Sequence, residues 1–318
     1  MAKAGEPHPL PFSRHPLVIL LAGPTAVGKS AVALRLAEKL GGEIISVDSM
    51  QVYRGLDLGT AKPSFAERAG VPHHLIDVVE LTEPFDAAKF LALANQAAAQ
   101  IQSRGQTPIL CGGTGLYFRA FLEGLGEAPP ANPKLRAELE ATPFADLLRE
   151  LADRDPATHA RIDRQNPRRV IRAVEVIRLT GRPFSTQRAG WAPATRNTQH
   201  APLAFGLSRD PDNLRRRIDA RVDQMFARGL VEETRQLLER GLAQNQTAMQ
   251  AIGYRQVVEH LRSERSLLET IERVKVRTRQ FAKRQMTWFR GQMQLTWLPV
   301  GAEENATSVV TRIVGAGT

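Results

Sequence analysis

The sequence predicts an α/β fold: a P-loop core built on a parallel sheet, with a helical insertion domain. Three observations predict it. An apolar run at 17–22 leads through a glycine-rich turn into a segment of helical periodicity at 29–40. Further apolar runs then alternate with helical segments, which is the order of right-handed βαβ units. Residues from about 125 to 200 show helical patterns and no convincing strand.

The core elements follow in chain order from their apolar periodicity. Strands are predicted at Leu17–Ala22, Glu43–Val47, His74–Val79, Thr107–Cys111, Leu203–Leu207 and Leu295–Val300. Helices are predicted at Lys29–Leu40, which two glycines end, at Ala87–Arg104, and through most of 212–288. In open parallel sheets, ligands bind beyond the carboxyl ends of the strands. We therefore expect the site in the loops that follow the strands.

Changes in pattern along the chain predict its domains. The proline-rich residues 1–14 are expected to be a flexible tail. Three prolines between 129 and 133 punctuate a linker, after which helical patterns continue. We predict a helical insertion domain at 125–200, and a core of 15–124 and 201–318 that carries basic helices near its C-terminal end.

Composition restricts the class of protein. The chain has 318 residues, of which 42% are hydrophobic and 24% charged, and this is typical of soluble globular proteins. Its one cysteine, Cys111, excludes an internal disulfide and a cysteine-based zinc cluster. No run approaches the ~20 apolar residues that cross a bilayer, and the N-terminus lacks a signal-peptide pattern. We expect a cytoplasmic monomer with no membrane partner.

The charge predicts a polyanionic partner. Lys and Arg number 43 and Asp and Glu 33, so the net charge is +10. The segment 164–172 has four arginines and no acid, and 273–290 has seven basic residues and no acid, with Phe281, Trp288 and Phe289 interleaved. Charges of one sign beside aromatic rings are typical of surfaces that bind a nucleic-acid phosphate backbone and unstacked bases. The alternative is a charged helix face over buried aromatic residues.

Residues 23–30 form a phosphate-binding motif between a predicted strand and a predicted helix. Glycines let consecutive backbone N–H groups face one anion, the helix N-terminus adds its positive dipole end, and Lys29 adds a charge. The Ser30 hydroxyl can hold Mg²⁺. The predicted phosphate-binding residues are Gly23, Pro24, Thr25, Ala26, Val27, Gly28, Lys29 and Ser30. The motif specifies phosphates rather than a nucleotide, so a diphosphate on any organic group would fit.

Two further loops leave predicted strands at the same edge. Asp48 stands where a Mg²⁺ ligand or a general base would be found, although an Asx-turn or a helix cap explains it equally well. Thr114, among the glycines of 112–115, suggests a polar contact in a loop that approaches a ligand closely; an ordinary turn is the alternative. We expect structural roles for the adjacent pair His73–His74. Lys62 is either solvated or a ligand.

Six motifs together resemble one family. They are Gly-Pro-Thr-Ala-x-Gly-Lys-Ser at 23–30, Ser-Val-Asp-Ser at 46–49, Gly-Thr-Ala-Lys-Pro at 59–63, Gly-Gly-Thr-x-Leu-Tyr at 112–117, Ile-Gly-Tyr-Arg at 252–255 and Lys-Arg-Gln-x-Thr-Trp-x-Arg at 283–290. In this order and spacing they resemble the tRNA dimethylallyltransferases, also called tRNA isopentenyltransferases. The resemblance extends over most of the chain.

The resemblance implies transfer of a dimethylallyl group from dimethylallyl diphosphate to N6 of the adenine 3′ of the anticodon, with Mg²⁺ as cofactor. It implies that Asp48 is the general base, that Thr25 and Arg221 line the channel between the substrates, and that Thr114 and Arg136 help to fix the reacting groups. The insertion domain would clasp the tRNA anticodon stem-loop. The implied tRNA contacts are Asp48, Ser49, Met50, Gln51, Arg136, Arg168, Arg169, Arg172, Gly253, Tyr254, Arg255, Lys283, Arg284, Gln285, Trp288 and Arg290.

Two other functions remain open from the residues. A P-loop small-molecule kinase would hold ATP in the phosphate loop and use Asp48 as the base for a hydroxyl, but it leaves the basic segment 273–290 unexplained. An RNA-binding protein without transferase activity would explain the basic segments, but it gives the Asp48 and Thr114 loops no purpose.

Overall fold

The computed structural model describes residues 18–187 and 203–316. The predicted tail at 1–14 lies outside the described residues, as does the end of the predicted insertion domain. The described residues divide into two compact units. The larger contains 18–121 and 203–316, and the smaller contains 122–187.

A six-stranded, all-parallel sheet forms the centre of the larger unit, which confirms the predicted α/β class. The strands are β1 Ile19–Ala22, β2 Gly42–Val47, β3 His73–His74, β4 Thr107–Gly112, β5 Leu203–Ser208 and β6 Thr296–Pro299. Their order across the sheet is β3-β2-β4-β1-β5-β6. Strands β2, β4 and β1 are therefore neighbours, and the loops that follow them leave the same edge side by side.

The register brings these strand ends to one level. Gly112 at the end of β4 pairs with Ala22 at the end of β1 and with Val47 at the end of β2. A Cβ at Gly112 would lie only 2.0 Å from the Val47 carbonyl oxygen, so a larger residue cannot occupy this position without moving the backbone. The phosphate loop and the Asp48 loop are consequently one strand apart on either side of β4.

Helices surround the sheet and make up the smaller unit. They are α1 Lys29–Leu40, α2 Phe65–Gly70, α3 Ala87–Ser103, α4 Gly115–Glu123, α5 Pro133–Ala141, α6 Phe144–Arg154, α7 Pro156–Arg161, α8 Pro167–Thr180, α9 Phe184–Gln187, α10 Pro211–Ala227, α11 Leu230–Glu239, α12 Tyr254–Leu261, α13 Leu267–Gln292 and α14 Ala306–Ala316. No helix in the described part of the chain is long and apolar enough to span a membrane.

The prediction of a strand at His74–Val79 is wrong. Strand β3 ends at His74, and the next residues include Leu75 at φ 61° and Asp77 at φ 55°, which are left-handed conformations that an extended strand does not contain. The turn brings the Asp77 carboxylate to Lys62, at 2.5 Å, and to Arg68, at 2.9 Å. A tertiary ion pair therefore replaces the regular strand that the apolar pattern suggested.

A continuous apolar core supports the phosphate loop. Helix α1 packs Val32, Leu36 and Ala37 against the sheet, where they join Leu21 of β1 and Phe205 of β5 in one buried cluster. Helix α1 begins at Lys29 and ends at Leu40, as its periodicity predicts, with Gly41 at φ 61° closing its last turn. The N-terminal end of α1, which faces the predicted anion site, is therefore packed against a continuous apolar core.

The smaller unit has its own core and one buried carboxylate. Helices α6 and α8 pack through Leu147, Leu151, Val170 and Val174. Fully buried Glu175 accepts hydrogen bonds from the Asn132 N–H at 3.0 Å, from Arg136 at 2.6 Å and from Arg172 at 2.7 Å. Burial raises the pKa of Glu175, but these hydrogen bonds outweigh it and hold the pKa below its ordinary value.

Candidate active site

The phosphate loop has the backbone conformation that an anion cradle needs. Gly23 at φ 148°, Ala26 at φ 63° and Gly28 at φ 110° turn the chain between β1 and α1. A Cβ at Gly23 would lie 2.7 Å from the Leu207 carbonyl oxygen, so the loop passes directly over the neighbouring strand. No side chain caps the start of α1. The first N–H groups of the helix are thus available to an anion.

Two arginines that the sequence analysis missed donate hydrogen bonds to carbonyl oxygens of this loop. Arg217 of α10 donates its Nε–H to the Ala26 carbonyl oxygen at 2.9 Å, and Arg209 donates to the Val27 carbonyl oxygen at 2.9 Å. Arg217 lies one helical turn before Arg221, which the resemblance did identify, so the two share a helix face. That spacing is the signal in the sequence that could have found Arg217.

Lys29 lies inside the loop, and its pKa is lower than that of an ordinary lysine. Its Nζ donates to the Pro24 carbonyl oxygen at 2.7 Å. The pKa of Lys29 is lowered from 10.5 to about 8, mainly by burial. The nearby charge of Arg221 acts in the same direction, and Cys111 and Asp48 oppose the decrease. An anion bound in the loop would favour the protonated form.

Asp48 uses one oxygen for the backbone and leaves the other open. Its Oδ1 accepts the N–H groups of Met50, at 2.8 Å, and Gln51, at 3.3 Å, which is the Asx-turn considered as an alternative. Among the described residues, Oδ2 has no hydrogen-bond partner. The charges of Lys29 and Arg221 both act on this carboxylate. Its turn and its proposed role as a base are therefore compatible, since each requires a different oxygen.

Thr114 connects the loop after β4 to the loop after β2. Its backbone N–H donates to the Val47 carbonyl oxygen at 3.1 Å, and its Oγ1 accepts the Ser49 N–H at 3.2 Å. Because Ser49 follows Asp48 directly, Thr114 and Asp48 are held together. Thr25 lies in the phosphate loop after β1, which is the neighbour of β4, so the structure places Thr25, Asp48 and Thr114 at one edge of the sheet.

Arg221 approaches the same place from α10. Burial lowers the pKa of its guanidinium, and the nearby charge of Asp48 opposes the decrease. The part of the chain that the structure describes gives Arg221 no hydrogen-bond or ion-pair partner at all. Its donors therefore remain available to an anion in the loop.

A group of partly buried hydrogen bonds, also missed by the sequence analysis, supports the Asp48 loop. Gln51 donates to the Thr60 carbonyl oxygen at 3.1 Å and so attaches the turn to the segment 57–62. Glu233 of α11 accepts the Leu58 N–H at 2.9 Å and the Tyr254 hydroxyl at 2.6 Å. Burial raises the pKa of Glu233, although these hydrogen bonds oppose the increase.

Three predicted tRNA contacts are interior residues. Tyr254 has no exposed surface, Gln285 is 7% exposed, and Gly253 is buried. The Tyr254 ring packs against Gly59, where a Cβ would lie 2.4 Å from it, and its hydroxyl is engaged by Glu233. We assign these three residues structural roles instead of the predicted tRNA contacts, because they are buried.

Lys62 is neither solvated nor open to a ligand. Its side chain is 3% exposed, and its Nζ donates to Asp77 at 2.5 Å, Asp57 at 2.7 Å and the Tyr53 carbonyl oxygen at 2.6 Å. The pair His73–His74 has structural contacts, as expected: His74 lies 2.5 Å from the Glu43 carboxylate. Within 18–187 and 203–316, no group of three or more His, Cys, Asp and Glu side chains could hold a metal ion.

The basic segment 273–290 lies on α13 and is only partly free. Lys275 forms an ion pair with Asp223 at 2.8 Å, and Arg279 with Asp219 at 2.8 Å, both from α10. Phe289 is fully buried, so it cannot stack on a base. For Phe289 the alternative of a charged face over a buried aromatic residue is therefore correct, whereas Phe281 is 38% exposed. The exposed basic residues of the segment are Arg273, Arg277, Lys283, Arg284 and Arg290.

The arginines of the smaller unit differ in exposure. Arg168 and Arg169 are exposed in the first turn of α8. Arg136 and Arg172 are bound to Glu175 and shape the unit's interior. In the larger unit, Arg255 is exposed beside Glu259, 3.3 Å away.

The family model that matches the chain is described as IPP transferase, and it matches residues 51–292. The tRNA dimethylallyltransferase 1 of Trichlorobacter lovleyi is 47% identical over 298 residues, 92% of this chain and 96% of that protein. The tRNA dimethylallyltransferase of Thermomicrobium roseum is 46% identical over 288 residues, 89% of this chain and 86% of that protein.

Solved structures show the same likeness. The tRNA isopentenylpyrophosphate transferase of Bacillus halodurans is 39% identical, with a TM-score of 0.69 and coverage of 95% of this chain and 96% of that chain. A eukaryotic dimethylallyltransferase, whose crystals show it acting on tRNA, is 30% identical. The match has a TM-score of 0.75 and covers 92% of this chain and 77% of that chain. The resemblance found in the motifs is confirmed: the chain belongs to the tRNA dimethylallyltransferase family.

Proposed function

We propose that the protein transfers a dimethylallyl group from dimethylallyl diphosphate to N6 of the adenine 3′ of the anticodon in tRNA and releases diphosphate. One observation carries the proposal. An anion cradle and a carboxylate with an open oxygen share one edge of the sheet, where the charges of Lys29 and Arg221 act on Asp48. Membership of the family agrees with this chemistry.

The acceptor nitrogen needs a base. The lone pair of an exocyclic adenine amine is delocalised into the ring, which makes the amine a poor nucleophile. A carboxylate oxygen within ~2.6–3.2 Å can take the proton as the new N–C bond forms. Asp48 Oδ2 is suited to this role, because the turn at Met50 and Gln51 already holds Oδ1 and so orients the carboxylate.

The donor needs its leaving group neutralised. As the allylic C–O bond breaks, the diphosphate takes the electron pair and gains negative charge. The N–H groups at the start of α1 and the cations of Lys29 and Arg221 would surround that charge, and preorganised donors of this kind lower the barrier more than flexible ones. Arg209 and Arg217 keep the cradle in shape by binding its carbonyl oxygens.

We also propose Mg²⁺ as the cofactor, with Ser30 as the residue that would hold it. The Ser30 side chain is exposed at the start of α1, next to Lys29, so its hydroxyl can reach an ion on a bound diphosphate. The described residues contain no cluster of three carboxylate, His or Cys ligands. Diphosphate and water oxygens would therefore supply most of the coordination. The ion would neutralise charge on the leaving group.

The proposed tRNA surface consists of those implied tRNA contacts that are basic and exposed. In the smaller unit these are Arg168 and Arg169, and in the larger unit Arg255, Lys283, Arg284 and Arg290. They would bind phosphates of the anticodon stem-loop. We further propose a cytoplasmic monomer, since one chain supplies every residue named for the catalytic site and a single cysteine suits a reducing compartment.

The direct test combines purified protein, dimethylallyl diphosphate, Mg²⁺ and unmodified tRNA. We expect release of diphosphate and, after nuclease digestion, a dimethylallylated adenosine in the mass spectrum of the nucleosides. A second reaction contains ATP and candidate small metabolites instead. Phosphate transfer from ATP, with no modified adenosine in the first reaction, would support the kinase and overturn this proposal.

The reaction should depend on pH through Lys29. Its pKa is about 8, so the cation that attracts diphosphate is present below pH 8 and lost above it. We expect kcat/KM for dimethylallyl diphosphate, which reports groups of the free enzyme, to fall about tenfold per pH unit above that value. In the control Lys29→Arg, whose charge persists, this decline should be absent. A wild-type profile that stays flat to pH 10 would contradict the assignment.

Binding of tRNA should depend strongly on salt, because phosphate contacts release counterions. Loss of both charges in Lys283→Gln/Arg284→Gln should reduce the slope of log Kd against log salt by about 1 to 2. The matched control is Arg35→Gln/Lys39→Gln, which removes two exposed charges from α1. Slopes can be measured by filter binding. Equal reductions in both variants would remove the special role of α13.

A further inference from the structure

One buried side chain joins the two loops that carry the proposed chemistry. Gln285 of α13 accepts the Thr25 N–H on its Oε1 at 2.9 Å and donates its Nε2–H to the Gly113 carbonyl oxygen at 2.9 Å. Thr25 belongs to the phosphate loop after β1, and Gly113 belongs to the loop after β4. The amide group therefore lies between them and bonds to the main chain of each.

The two hydrogen bonds of Gln285, to Thr25 and to Gly113, form a bridge between the loops. Its chemistry requires an amide. One loop presents a donor and the other an acceptor, and both backbone groups need partners when they are buried. A glutamine side chain has one acceptor atom and one donor atom at its end, so it satisfies both contacts in a single orientation. Glutamate can accept from Thr25 but, when ionised, cannot donate to Gly113. Methionine, of similar length, can do neither.

The same face of α13 contacts the loop after β4 on both sides of Thr114. A Cβ at Gly113 would lie 2.2 Å from Gln285 Nε2, and a Cβ at Gly115 would lie 2.1 Å from the Trp288 ring. Residues 285 and 288 are three apart on α13, so they project from one face. Thr114 is thus held between two close contacts with this helix.

Hydrogen bonds connect this loop to Asp48, the proposed base. Thr114 Oγ1 accepts the Ser49 N–H at 3.2 Å, and Ser49 follows Asp48 in the chain. From Gln285, one hydrogen bond leads to the cradle for the diphosphate, and the other leads through Gly113 and Thr114 to the carboxylate. No other side chain in the described residues forms hydrogen bonds to both the phosphate loop and the loop after β4.

We propose that Gln285 is a positioning residue that sets the spacing between the phosphate loop and the Asp48–Thr114 loops, and hence between the leaving group and the base. This inference rests on the proposed function. The exposed neighbours Lys283 and Arg284 place the bridge on the helix that carries the proposed tRNA surface. Gln285 itself acts on the protein's own loops and does not contact tRNA.

The test variant is Gln285→Met, which keeps the length of the side chain and removes both hydrogen bonds. Its matched control is Gln280→Met, an exposed position on the same helix. We expect kcat at saturating tRNA and donor to fall about 100-fold, the effect of misplacing reacting groups by roughly 1 Å. The KM for tRNA should stay within about twofold of wild type. The control should match wild type in both constants.

Hydrogen exchange measures the bridge independently of activity. The Thr25 N–H should exchange faster in Gln285→Met than in wild type and keep its protection in Gln285→Glu, which retains the acceptor. If Gln285→Met does not fold, Gln285→Glu carries the kinetic test, since it lacks the bond to Gly113, and should also lose kcat. Wild-type kcat in Gln285→Met, or in Gln285→Glu where Gln285→Met does not fold, would overturn the positioning role. A loss of tRNA affinity with kcat unchanged would also overturn it.

The two proposals fail in distinguishable ways. Wild-type protein that forms no dimethylallylated adenosine refutes the proposed function, and with it the role of Gln285 in that reaction. Active wild-type protein combined with an equally active Gln285→Met refutes only the positioning role.

Discussion

Replacing Asp48 with asparagine should lower kcat by about 10²- to 10⁴-fold and leave the KM for tRNA nearly unchanged. The amide is isosteric, and its oxygen can still accept the Met50 and Gln51 N–H groups, so the turn persists. It cannot take a proton from an amine at neutral pH. Single-turnover prenylation, combined with filter binding of tRNA, separates the two quantities.

The control for this variant is Asp86→Asn. Asp86 has the same local geometry, because its Oδ1 accepts the Ala88 and Lys89 N–H groups at 3.0 and 2.9 Å. It caps α3 and belongs to none of the three site loops. We expect wild-type kcat from the control. If Asp48→Asn loses binding and rate by equal factors, Asp48 is a structural turn residue and not the base.

Replacing Lys29 with methionine should lower kcat/KM for dimethylallyl diphosphate by about 10²- to 10³-fold or more, the loss typical of removing one preorganised donor from a developing anion. Lys29 lies within the loop, and its charge is poorly screened there, so the ion–anion attraction is strong. Rates of diphosphate release across donor concentrations measure the effect.

The exposed residue Lys39 provides the matched substitution Lys39→Met, in the last turn of the same helix. This change should leave donor kinetics and tRNA binding at wild-type values. Affinity for tRNA should also survive in Lys29→Met, because the cradle does not belong to the proposed tRNA surface. Unchanged donor kinetics in Lys29→Met would exclude the loop as the diphosphate site.

Local patterns were sufficient for much of the core. Helix α1 was predicted with its bounds because its apolar residues recur at helical spacing and Gly41 ends it. The phosphate loop was predictable because its left-handed turns demand glycine at 23 and 28. The segment after His74 was not, since its course depends on the ion pair between Asp77 and Lys62, which lie 15 residues apart in sequence.

The site shows the same division. Asp48 and Thr114 could be selected because each follows a predicted strand directly. Glu233 could not, because its acceptor role depends on Leu58, which lies 175 residues away in sequence and reaches it only in the folded chain. The basic segment 273–290 on α13 contains no acidic residue, but its Arg279 is paired with Asp219, 60 residues earlier in the sequence.

By itself, the amino-acid sequence determined the α/β class, the phosphate loop and the family, because these depend on short motifs and on periodicities within single elements. Only the tertiary structure decided which charged and aromatic side chains remain available for ligands. Ion pairing and burial depend on neighbours from distant parts of the chain. Gln285 illustrates the difference: its motif suggested a contact with tRNA, whereas its burial and its two hydrogen bonds assign it to the architecture of the site.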